Sequence, residues 1–123
     1  MANLISYTAY DAALNTLTNA TSTVLHICSS QPAAFGNVAT YTLGNQTTPT
    51  IGSPASRSPN GRKVTVSAVS TGGSVTATGT AAYWAIVDGA TLWATGPLSA
   101  SQAVTSGNTF TLTAFDIGIP DPA

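Results

Sequence analysis

An imidazole and a thiol two residues apart, His26 and Cys28, form the only pair of side chains here whose types and spacing could do chemistry. In a strand, residues i and i+2 share a face, and a Cys/His pair is the core of thiol catalysis or half of a zinc site. The chain has one histidine and one cysteine in total, so no second cluster completes a tetrahedral metal site. Cys28 also cannot close an internal disulfide. It lies in the apolar run Val24-Leu25-His26-Ile27-Cys28, which predicts a buried, inert thiol. A serine hydrolase would have to use His26 as its only base, and no Gly-x-Ser-x-Gly elbow is present. Asp11, Asp88, Asp116 and Asp121 are scattered singly, and nothing resembles a glycosidase pair, a phosphate loop or a calcium loop. The expectation is a protein without catalytic residues, metal or cofactor.

Composition points the same way. Only 6% of the 123 residues are Asp, Glu, Lys or Arg, against about 25% in ordinary soluble domains. Seven charges over a folded surface of roughly 6,000 Å² leave most of the outside neutral, and subunit neighbours are expected to cover part of it. A net charge of -1 argues against nucleic acid, which needs several phosphates neutralised together. Arg57, Arg62 and Lys63 hold all the formal positive charge within seven residues. They read either as a solvated loop edge or as contacts for an acidic protein partner. Trp84 and Trp93 flank the Asp88-Gly89 turn. They read as core or subunit-contact residues, or as a stacking platform for sugars. The start of the chain shows no basic n-region or apolar h-region, and no stretch approaches the roughly 20 residues of a membrane span. Synthesis in the cytoplasm, with no membrane partner, is expected.

These residues must be positioned by a mainly β fold. A single domain over 1–123 is expected from length. Residues 8–20 read as one N-terminal helix, with Thr8 as N-cap, Asp11 at the positive helix end, and a stripe of Tyr10, Leu14 and Leu17 with Ala13 beside them. A short strand follows at 23–28. Residues 29–61 read as a long extended arm, punctuated by Pro32, Pro49, Pro54 and Pro59, in which only Val38 to Leu43 could pair. The arm is expected to order against a neighbouring subunit, with Tyr41, Pro49 and Pro54 among its contacts. Residues 62–120 read as a β meander. Val64 and Val66, then Val75 and Ala77, then Phe110, Leu112 and Ala114 alternate with polar residues, and Tyr83–Val87 is apolar on both faces as in a central strand. Gly72-Gly73, Asp88-Gly89 and Ser106-Gly107-Asn108 are turn signals. The architecture expected is an antiparallel β-sandwich or partly closed barrel.

Several runs carry a resemblance: Gly61-Arg62-Lys63-Val64-Thr65-Val66, the stretch from Ala77 to Gly89 (ATGTAAYWAIVDG), and SQAVTSGNTFTLTAFDIGIPDP from Ser101 to Pro122, with Tyr10-Asp11-Ala12-Ala13-Leu14 and Ile27-Cys28-Ser29 near the start. The chain resembles small proteins encoded among the structural genes of tailed bacteriophages and prophages. The resemblance implies a virion component and supplies no catalytic or binding residue. Within a particle, a capsid decoration or cement protein is the leading expectation, homo-oligomeric and in contact with the major capsid protein or other virion subunits. A tail, neck or fibre-associated protein is the alternative. A virion carbohydrate-binding module using Trp84 and Trp93 is a third reading, of a different class.

Overall fold

The computed structural model describes residues 6–20, 22–58, 60–70 and 73–120. The elements in order are α1 (Tyr7–Thr18), β1 (Thr23–Cys28), α2 (Phe35–Tyr41), β2 (Thr42–Thr47), β3 (Ala55–Ser56), β4 (Arg62–Val66), β5 (Ser74–Val75), β6 (Gly79–Asp88), β7 (Thr91–Val104) and β8 (Phe115–Ile119). The fold is mainly β, as expected, with two antiparallel sheets ordered β5-β2-β1-β6-β7 and β3-β4-β8; neither closes into a barrel. The single block expected over 1–123 divides into two compact units, one of residues 1–20, 50–67 and 114–123, the other of residues 21–49 and 68–113.

In the first unit α1 packs on β4. Its stripe of Tyr10, Leu14 and Leu17 is buried, as are Val64 and Val66 on β4; each such aliphatic side chain stabilises by about 1.5–3 kcal/mol. Ala13, expected beside the stripe, is exposed. The helix begins one residue before the expected 8–20 span because Ser6, not Thr8, is the N-cap, its hydroxyl accepting the Thr8 N–H at 3.1 Å, and it ends at Thr18. Asp11 lies too far along the helix to serve free N–H groups and turns to Arg62 instead.

The extended arm expected over 29–61 is largely folded onto its own chain. Val38 and Tyr41 are three residues apart, which is helical spacing, and both pack on the cluster around Cys28. The expected strand from Val38 to Leu43 is therefore helix to Tyr41 and strand only from Thr42. Further on, Ile51 bridges to Val66, Gly52 N–H donates to Thr65 O at 2.9 Å, and β3 pairs with β4. Prolines 49 and 54 permit this because proline is tolerated at sheet edges.

In the second unit β1 lies between β2 and β6. Its register places Leu25 opposite Ile86 and Ile27 opposite Trp84 on one face, with Val24 opposite Val87, His26 opposite Ala85 and Cys28 opposite Tyr83 on the other. Val38 of α2 joins Cys28, Ala85 and Val87 in that second face's core. β6 is paired on both sides and apolar on both faces, the central strand the sequence predicts. The Asp88-Gly89 signal forms its hairpin, closing Asp88 against Thr91 around Gly89 at φ +59°.

Two expected strands give way to contacts with residues distant in the chain. The one through Val75 and Ala77 stops at Val75, because Thr76 and Ala77 both donate their N–H to Leu43 O, at 2.8 and 3.1 Å. The one through Phe110, Leu112 and Ala114 is reduced to isolated bridges, Thr109 with Ser74 and Leu112 with Val69, and the strand forms later as β8. Phe110 is buried and its ring lies against Gly73, where a Cβ would come within 2.8 Å of Cε1. Most of the Gly72-Gly73 turn lies outside the described residues. Gly107, at φ +91°, turns the chain back so that Val75 N–H meets Asn108 O at 2.8 Å.

Candidate interaction surface

The three cations sit together in the first unit with three quite different roles. Arg62, on β4, is consumed internally. Its Nε donates to Asp11 Oδ1 at 2.8 Å and its Nη2 to Oδ2 at 3.3 Å, while Nη1 reaches Ser56 Oγ at 3.2 Å and Nη2 reaches Pro54 O at 3.5 Å. The guanidinium also lies 5.8 Å from the Tyr7 ring centre, and Tyr7 stacks on Tyr10 at 5.8 Å. Hydrogen bonding to the Asp11 carboxylate raises the Arg62 pKa further. This is a fork-to-carboxylate clamp that fixes α1 to β4, and it engages Pro54 through its carbonyl, not as an outward contact.

Lys63, one residue along, donates to Asp116 Oδ2 at 2.9 Å, and Thr65 Oγ1 donates to Asp116 Oδ1 at 2.7 Å. The register pairs Thr65 with Asp116 and Lys63 with Gly118, so the ion pair is the diagonal kind that long side chains make across strands. The Thr65 hydrogen bond, then Lys63, hold the Asp116 carboxyl below its ordinary range. Asp116 is thus engaged within its sheet, and Asp121 lies outside the described residues.

Arg57 belongs to the loop that joins β3 to β4. Its backbone N–H donates to Gly61 O at 3.0 Å, and its Nη1 donates to Asn60 O at 3.0 Å. Among the described residues no carboxylate pairs with it. Its stem lies across Gly118, where a Cβ would meet Arg57 Cδ at 2.8 Å and Nε at 2.9 Å. Arg57, Ser58, Lys63, Asp116 and Gly118 line an open cleft of about 450 Å³. Ser58 and Gly118 escaped sequence reasoning. A glycine in the middle of the alternating Phe115–Ile119 strand is the signal that another group approaches closely there.

The remaining predicted residues lie in the second unit, where Pro49 is half-buried at the end of the segment 21–49. Tyr41 is half-buried over the Cys28 cluster and so packs inward. Trp84 is 8% exposed, with Gly96 beneath its ring, whereas Trp93 is 39% exposed. The difference has a cause in the ladder: Val87 pairs with Leu92 and Ile86 with Ala94, so Trp93 is the extra residue of a β-bulge, a device that re-aims a side chain. The two indoles therefore do not make a two-ring platform. Phe35 and Tyr7 are the other large exposed apolar residues among the described ones.

The Cys28 thiol is fully buried, as expected, and burial pushes its pKa to about 11. His26 Nδ1 lies 2.9 Å from Thr42 Oγ1, and desolvation lowers its pKa. Burial thus opposes the charged form of both groups, the thiolate and the imidazolium that thiol catalysis pairs together. Among the described residues no cluster of three His, Cys, Asp or Glu side chains could hold a metal, and no helix is long and apolar enough to cross a membrane.

Charge is divided unevenly between the units. Residues 21–49 and 68–113 contain a single charged side chain, Asp88, while Asp11, Arg57, Arg62, Lys63, Asp116 and Asp121 all fall in the other unit. Searches of family models, curated proteins and solved structures found no match to this chain.

Proposed function

We propose that this chain is a non-enzymatic structural subunit of a tailed-phage particle, acting as a capsid decoration or cement protein. One observation carries the reading. A sheet-forming unit of residues 21–49 and 68–113 has one charged side chain, and its long edge strand, β7, has none in 14 residues. Neutral Thr, Ser, Ala and Gly surface costs far less to cover than charged surface, so it suits repeated docking against other neutral subunits. The sequence resemblance to phage structural proteins supports the same role. Its partners in this reading are the major capsid protein or other virion subunits and further copies of itself, without nucleic acid or membrane. The buried Trp84 weighs against the carbohydrate-binding alternative, which relied on two indoles.

Copy number in purified particles tests the proposal. Quantitative mass spectrometry that finds the chain at a stoichiometry near the major capsid protein supports decoration. Six or twelve copies per particle would move it to the neck or tail, and absence from particles overturns the virion role altogether.

A further inference from the structure

Four charges cancel in place, Asp11 with Arg62 and Asp116 with Lys63. Among the described residues this leaves one cation and one carboxylate outside any ion pair: Arg57 in its cleft and Asp88 at the end of β6. They belong to different units and have complementary settings. The Arg57 stem lies against Gly118, and among the described residues its guanidinium is engaged through Nη1 alone, with Asn60 O. Most of the five N–H donors of an arginine are then free to receive a carboxylate as a fork. Asp88 closes the β6–β7 hairpin against Thr91, and the tip beyond it is Gly89 and Ala90, both exposed. That tip carries nothing larger than a methyl group, so a cleft of about 450 Å³ admits it.

We propose that the Arg57 cleft of one copy receives the β6–β7 hairpin tip of a second copy, with Asp88 seated on the Arg57 guanidinium. Each chain carries both halves of the contact, so two copies can exchange it reciprocally about a two-fold axis, residue 57 of each meeting residue 88 of the other, or pass it head to tail into a ring or filament. The neutral surroundings favour this ion pair as the element that sets register, because nothing else in the second unit can attract or repel electrostatically. The contact needs no other protein, so it is tested on the purified chain, independently of any place in a virion.

The test is charge reversal with reassortment, read by sedimentation velocity over a concentration series. The wild-type chain is expected to self-associate. Arg57→Asp alone and Asp88→Arg alone each set like charges together and are expected to weaken association at least about tenfold. An equimolar mixture of the two variants restores it, since each reversed charge then meets the other on a different chain. Restoration also shows that both variants are folded. Should a reversal unfold the chain by circular dichroism, Arg57→Gln and Asp88→Asn replace it, each weakening association by a smaller factor. A wild-type chain that stays monomeric at every attainable concentration overturns the inference. So do folded variants that associate as well as wild type, or folded reversals whose mixture is no better than either alone.

Discussion

The two tryptophans offer a direct measurement of how the β6–β7 hairpin is built. Replacing Trp93 with Phe leaves Trp84 as the only indole, and Trp84→Phe leaves Trp93 alone. The relative exposures are 8% for Trp84 and 39% for Trp93, a ratio of about five. Acrylamide quenching at low protein concentration is therefore expected to give a Stern–Volmer slope about fivefold steeper for Trp93 than for Trp84, with Trp84 emitting further to the blue. Stability separates the two variants as well. Trp93→Phe alters a bulge residue facing solvent and should stay within about 0.5 kcal/mol of wild type. Trp84→Phe leaves unfilled space above Gly96 and should cost about 1–3 kcal/mol, less than the 3–5 of a full truncation to alanine. Equal slopes, or a steeper slope for Trp84, would refute the bulge placement and restore the two-indole platform as a candidate for sugar binding.

Three further outcomes follow from single side chains. Cys28, with its pKa near 11, exposes only about one thiolate in a thousand at pH 8; a thiol-specific disulfide reagent should leave the native chain untouched and label one thiol on denaturation. Lowering the His26 pKa means the unfolded chain binds a proton that the folded chain resists. Stability should accordingly fall as pH drops below 6.5 towards the lower folded value, and His26→Gln should flatten that decline in urea melts. Thr23 Oγ1 is buried without a hydrogen-bond partner among the described residues; Thr23→Val removes the unmet hydroxyl and should stabilise by about 1 kcal/mol in the same melts.

What could be read from the sequence was what depended on periodicity. The stripe of Tyr10, Leu14 and Leu17, the alternation of Val64 and Val66, and the two-faced apolar run around Trp84 each marked a burial pattern that one residue period explains. What failed depended on partners distant in the chain. Nothing local distinguishes the backbone of Phe110 to Ala114 from a strand, yet its ladder is reduced to isolated bridges while Phe110 seats its ring on Gly73. Asp11 looked like a helix-start residue because its partner, Arg62, lies 51 residues away. The proline-rich stretch looked like an arm because proline density measures what a backbone cannot do, not which edge it can still join. The cationic cluster was visible as a cluster, but its division into a clamp, a cross-strand pair and an unpaired Arg57 required the positions of Asp11 and Asp116.

A sheet nearly free of charge raises the question of what keeps its edges from pairing at random. Lysine and glutamate are the usual guards of an edge strand, and β7 has neither. Its protection is geometric. The ladder to β6 slips at Trp93, and it slips again between Ala81 and Tyr83, whose partners are Gln102 and Pro97; the intervening Leu98 to Ser101 bow out of register. Pro97 has no N–H to offer a further strand. A 14-residue edge is thereby cut into short pieces, none long enough to template an open-ended ladder. On the other side of the sheet, β5 is covered by the backbone of Gly107 and Asn108. Bulges and proline block strand addition while leaving side-chain surface neutral, whereas charges would block docking as well. Geometric protection is the kind a sheet needs if its surface is to be covered by another protein's side chains but not extended by another strand.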